Sequence, residues 1–145
     1  MSGKGQHQGT RVQGLRHLAL RVRDIVKSKA FYASLFQMTI VWQPDPENVY
    51  MSSGVDNLAL HQIPQGELED YKEGGGQLLD HFGFIMDSPG SVDHLYRIAV
   101  AEGVPIVHHP KQHWDGSYSF YLSDPDQLTI QILYEPTVSA LKIHS

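Results

Sequence analysis

The sequence carries the same local pattern twice, once in each half. In residues 15–36, LRHLALRVRDIVKSKAFYASLF, Leu18, Leu20 and Val22 share one parity while His17, Ala19 and Arg21 share the other. Such alternation is the period-2 signature of a half-buried strand. Asp24 follows where a helix N-cap is expected, since its carboxylate can accept from the open amides of a first turn. Ile25, Phe31, Leu35 and Phe36 then recur at helical spacing. Residues 79–103 repeat the plan. His81, Gly83 and Ile85 alternate with Phe82, Phe84 and Met86, a Ser-Pro break follows, and Val92, Leu95, Tyr96 and Ala99 mark a helix. Superposing His17 on His81, an offset of 64, sets Phe31-Tyr32 over Leu95-Tyr96; 58–60 matches 130–132 at an offset of 72 (59 to 131). A duplicated module is the reading.

The remaining elements fit that plan. Short strands are expected at 39–42, 49–53 and 57–62, with Pro44-Asp45-Pro46 as a turn and Gly54-Val55-Asp56 joining the last two. The first half, 15–62, is therefore βαβββ. Residues 63–78 hold Glu67, Glu69, Asp70, Glu73 and the run Gly74–Gly76, and read as a flexible linker. The glycines precede a strand rather than a helix, which argues against a phosphate loop. In the second half, 79–135, a strand over 80–87 leads to a helix over 90–102 closed by Gly103. Strands follow at 104–108, 117–123 and 128–134, with 110–116 as a loop and Asp124-Pro125-Asp126-Gln127 as a hairpin. Residues 1–14 read as a disordered leader and 136–145 as a C-terminal tail.

Composition narrows the function classes. A chain of 145 residues with 41% hydrophobic and 19% charged side chains builds one ordinary globular domain. Its net charge of −5 argues against nucleic acid as a partner. The basic cluster Arg16, Arg21, Arg23, Lys27 and Lys29 is spread by strand and helix over opposite faces. With no cysteine there is no disulfide framework, thiolate site or cysteine nucleophile. No run reaches the roughly 18 apolar residues of a membrane span, so a cytoplasmic protein is expected.

Parity selects the residues available for chemistry. Leu58 and Leu60 face the helix side, leaving Ala59 and His61 opposite; Ile130 and Ile132 likewise leave Thr129, Gln131 and Leu133 opposite. His17, His81 and Gln131 thus share the inner faces of equivalent strands. If the sheets curve toward each other, two imidazoles and one amide oxygen form a three-ligand set with open positions, as a catalytic divalent metal requires. A lone inward histidine is ordinarily a hydrogen-bonded strand residue; the repeat-equivalent pair is what points to ligation. His61 reads equally as an acid/base group, a replacement ligand or a polar residue near a strand end. Arg21 and Tyr121 are on the inner parity and suit an anionic substrate, and Trp114 is placed to roof a pocket. His108, His109 and His113, with Lys111, read as solvated loop residues. Phe31, Tyr32 and Tyr96 read as core.

The run H-L-A-L-R-V-R-D…F-Y at 17–32, with D-P-D…I-Q-I at 124–132, resembles the vicinal oxygen chelate superfamily: glyoxalase I, extradiol dioxygenases, fosfomycin-resistance enzymes and bleomycin-binding proteins. The resemblance covers nearly all of 15–135. It implies an α+β fold of two tandem βαβββ modules whose mixed sheets form a concave cup, pairing as a homodimer. By position it implies His17 and His81 as ligands of one divalent metal ion (Fe, Mn, Zn or Ni). Gln131 falls where the family usually has Glu, and Ala59 where glyoxalase I has a carboxylate. Without that carboxylate the glyoxalase general base is missing, so glyoxalase I activity proper is disfavoured. A His, His, Gln set leaves the metal charge uncompensated and favours an anionic bidentate substrate. The expectation is a metal-dependent lyase, isomerase or ring-cleaving dioxygenase acting on a small oxygen-chelating substrate. Its catalytic residues would be His61 and Tyr121, its substrate contacts Arg21 and Trp114. The alternative is a metal-free small-molecule or drug-binding protein of the bleomycin-resistance type.

Overall fold

Asp24 caps the first helix as its position suggests, its carboxylate accepting from the amides of Val26 (3.1 Å) and Lys27 (3.2 Å). The computed structural model describes residues 15–70, 79 and 81–139. The expected leader at 1–14, residues 71–78 of the linker and the tail beyond 139 lie outside the described residues. The first half runs β1 (His17–Val22), α1 (Ile25–Phe36), β2 (Thr39–Asp45), β3 (Asn48–Ser52) and β4 (Asn57–Gln62), followed by a 3-10 turn over Gln65–Asp70. The second runs β5 (Phe82–Ile85), α2 (Pro89–Ala101), β6 (Ile106–Gln112), β7 (Tyr118–Ser123) and β8 (Thr129–Tyr134), and ends in the short α3 (Pro136–Ser139). Two four-stranded sheets result, ordered β1-β4-β3-β2 and β5-β8-β7-β6. In each, the first strand lies parallel to the last and the other pairs are antiparallel. The fold is α+β, two βαβββ modules in one chain.

Register makes the repeat exact at the residues that matter. Ala19 faces Ala59 across the parallel pair of one module and Gly83 faces Gln131 in the other, so the 64-residue and 72-residue offsets both hold in space. Tyr50, opposite Ala59, corresponds to Tyr121, opposite Gln131. Both outer strands are bulged twice. In β2 the register slips between Ile40 and Trp42 and again between Trp42 and Asp45; in β6 it slips between Ile106 and His108 and between His108 and Lys111. Pro44 and Pro110 lie within the second slip of each. The sequence reading ended these strands at 42 and 108; they run on through Asp45 and Gln112.

One parity of the inner strands β3, β4, β7 and β8, with the end of β1, is buried beneath the helices, whereas β2 is exposed along its whole length. Leu20, Val22, Val49, Met51, Leu58 and Leu60 from one sheet, and Phe120, Leu122, Ile130 and Ile132 from the other, join Tyr32, Leu35, Val92, Leu95 and Ala99 in one continuous core. Burying each such side chain contributes about 1.5–3 kcal/mol. The core crosses the module boundary, where the ring of Phe36 stacks on Phe84 with centroids 4.2 Å apart. The Asp124-Pro125-Asp126 hairpin fastens α1 to the second module. Buried Asp124 accepts from the Tyr32 hydroxyl (2.8 Å). Buried Asp126 accepts from the backbone and side chain of Arg23 (2.8 and 3.2 Å) and from the Ser28 hydroxyl (3.2 Å). Burial pushes the Tyr32 hydroxyl well above its ordinary pKa, with the Asp124 charge adding to it, and burial also holds the Asp124 carboxyl above its ordinary value. Gln127 takes φ 66°, and Gln37 ends α1 at φ 56°. Among the described residues no helix is long and apolar enough to cross a membrane.

Candidate functional site

The parity that the helices leave uncovered carries the polar and aromatic residues of both sheets. On the first, His17 and His61 are each set by an asparagine: His17 Nδ1 lies 2.7 Å from Asn57 Oδ1, and His61 Nδ1 lies 2.7 Å from Asn48 Oδ1. An asparagine oxygen only accepts, so each Nδ1 carries the proton and each Nε2 keeps its lone pair. Tyr50 stands between them, its centroid 6.3 Å from His17 and 6.5 Å from His61, with Trp42 edge-on at 4.9 Å. Arg21 is taken by a surface ion pair with Glu67 at 3.0 Å. Ala59 is buried, opposite Tyr50.

On the second sheet, Tyr121 is flanked by two imidazoles, His81 at 5.6 Å and His108 at 5.4 Å, both near perpendicular to it. Gln131, beside Tyr121 in register, donates through Nε2 to the buried Ser119 hydroxyl at 3.2 Å, which turns Oε1 away from that bond. His113 Nε2 lies 3.4 Å from the same hydroxyl. An open hollow of about 780 Å³ lies here, lined by His81, His108, Lys111, His113, Ser119 and Tyr121 among others. Gly83 keeps the two parallel strands close: a Cβ there would stand 2.8 Å from the Gln131 carbonyl oxygen.

The proposed ligands therefore divide between the sheets, His17 on one and His81 with Gln131 on the other. Their chemistry suits a divalent metal. His17 presents Nε2 with its tautomer fixed by a neighbour, the outer-shell arrangement that metal-binding histidines use, and Gln131 presents an oxygen. Among the described residues no three His, Asp or Glu side chains cluster to hold a metal, so a ligand set drawn from this chain depends on Gln131. Tyr121 shares the hollow with His81, His61 belongs to the other sheet, and Trp114 is fully exposed in the β6–β7 turn.

Sequence reading missed the orienting residues Asn48, Asn57 and Ser119, although all three are on the inner parity or opposite it in register. It also ended the strand at His108 and left Lys111 in a loop, because counting alternation fails across a bulge.

Two tandem βαβββ modules, each a four-stranded mixed sheet, define the class of fold. The family model of the glyoxalase/bleomycin resistance protein/dioxygenase superfamily matches residues 14–132, and the chain belongs to that superfamily. No curated protein matches the sequence. Among solved structures the chain is similar to lactoylglutathione lyase from Agrobacterium tumefaciens at 21% identity, with a TM-score of 0.69 and coverage of 88% of this chain and 97% of that one. It is also similar to a glyoxalase/bleomycin resistance protein/dioxygenase from Alicyclobacillus acidocaldarius (21% identity, TM-score 0.67, 85% and 92% covered). A glyoxalase-related enzyme from Fulvimarina pelagi is a third (22% identity, TM-score 0.64, 86% and 90% covered). At these identities the likeness is one of fold.

Proposed function

We propose that the protein is a metal-dependent enzyme of the glyoxalase/dioxygenase type, working as a homodimer on a small oxygen-chelating substrate. His17, His81 and Gln131 would hold one divalent ion, Fe, Mn, Zn or Ni. The observation that carries this reading is the orientation of two donors by neutral neighbours: Asn57 fixes His17 with Nε2 outward, and Ser119 takes the amide nitrogen of Gln131. Such support is what a ligand needs and a solvated surface residue does not. When bound, the ion would act as a Lewis acid toward an oxyanion of the substrate. His61, its Nδ1 proton engaged by Asn48, would accept a proton at Nε2, and the Tyr121 hydroxyl would donate to a substrate oxygen. With alanine at position 59, no carboxylate base is available from β4, which argues against glyoxalase I chemistry proper.

The substitutions at Ala59 and Gln131 favour a second reading, a metal-free binding protein of the bleomycin-resistance type whose aromatic-lined inner face holds a small molecule. Metal analysis of the purified protein separates the two. Roughly one ion per chain in the wild type, lost in both His17→Ala and His81→Ala, is expected for the enzyme. A protein that takes up no metal leaves only the binding reading, and one that retains it in both variants removes His17 and His81 from the ligand set.

A further inference from the structure

The two uncovered faces are built on one plan but have diverged in charge and in hydrogen bonding. The paired bulges put residues three apart onto the same face. Trp42 and Asp45 lie opposite Tyr50 and Asn48, and His108 and Lys111 lie opposite Tyr121 and Ser119. Lys111 thus occupies the place that Asp45 holds in the first module. There, the polar groups are spent on one another. Asp45 accepts from the Asn48 side chain at 3.0 Å and from the Glu47 amide at 2.8 Å, and Asn48 in turn holds His61.

The second face is left open. Neither Lys111, nor His108, nor the Tyr121 hydroxyl makes a hydrogen bond or ion pair with a described residue, and no carboxylate lines the hollow among those residues. Asp115, the nearest acid in sequence to His113, is turned to Ser117, whose amide and hydroxyl it accepts from at 2.9 and 2.7 Å. His109 is tied back to the Tyr96 hydroxyl at 2.8 Å. A hollow of about 780 Å³ is within the size range of small-molecule sites. One fixed cation, an imidazole and a phenol, with no hydrogen-bond or ion-pair partner and no acid in the lining among the described residues, make a donor set that an anion satisfies.

We infer that this hollow binds a small molecule through an oxyanion, a carboxylate or a phosphate, received by Lys111, His108 and the Tyr121 hydroxyl. This deepens the reading above, because His81 and Tyr121 border the same hollow, but the anion contacts need no metal. The second module would hold the charged end of the substrate.

The test uses the full chain, stripped with a chelator and titrated by calorimetry or NMR with inorganic phosphate, benzoate and, as a cationic control, benzylamine. At least one anion is expected to bind and benzylamine not to. Binding should weaken about tenfold in Lys111→Met, and also in Tyr121→Phe, while Lys27→Met on α1 leaves it unchanged. Phosphate binding alone assigns a phosphate ester and benzoate binding alone a carboxylic acid; either supports the inference. No binding by either anion, or affinity indifferent to Lys111→Met in a folded variant, overturns it. Metal uptake is scored separately, so anion binding in a protein that takes no metal refutes the metal reading and leaves this one standing.

Discussion

Gln131 decides how strongly this inner face can hold a cation. A neutral amide brings an oxygen donor without charge, where the family usually brings a carboxylate. Gln131→Glu adds a negative charge at a proposed ligand position, and Ser119 can then donate to it instead of accepting. Metal affinity, measured by competition against a chelator, is expected to rise about tenfold or more; unchanged affinity would remove Gln131 from the ligand set. At this scale the sequence was informative wherever the strand stayed regular. Parity alone placed His17, Ala59, Tyr121 and Gln131 on the inner faces. It could not reveal that Asn57, Asn48 and Ser119 orient the site, because those contacts depend on cross-strand register.

Among the elements, the Asp124–Asp126 hairpin does more than reverse the chain. Asp126 receives donors from the end of the first strand and the first turn of α1, so Asp126→Ala removes the carboxylate that accepts from the Arg23 amide, the Arg23 Nε and the Ser28 hydroxyl. A loss of about 2–3 kcal/mol in urea unfolding is expected. Asp124 adds a pH dependence. Its carboxyl titrates higher in the folded protein than in the unfolded chain because burial disfavours its charge. The folded state therefore binds the proton more readily, and this contribution is fully present below the ordinary carboxylate pKa. It falls as pH rises from there to the raised folded value. Asp124→Asn abolishes that titration. The stability of wild type relative to the variant should decline across that window and stay flat above it; a difference independent of pH would contradict the assignment. Helices and central strands were legible from caps and alternation. The bulged β2 and β6 were not, because two register slips and a proline erase period-2 patterning in each.

For the molecule as a whole, the continuous core and the Phe36–Phe84 stack make the modules one folding unit despite their repeat. Thermal unfolding followed by far-UV and near-UV circular dichroism should give coincident single transitions; two separated steps would show that the halves fold independently.

The prolines of the bulged strands carry a last consequence. A strand at the margin of a sheet can template the addition of another chain, and proline, having no amide hydrogen, blocks that addition. Pro44 and Pro110 stand at the outer margins of both sheets, whereas β1 and β5, the opposite margins, contain none. Intermolecular strand pairing is thereby discouraged along β2 and β6, the margins whose strands are exposed along most of their length.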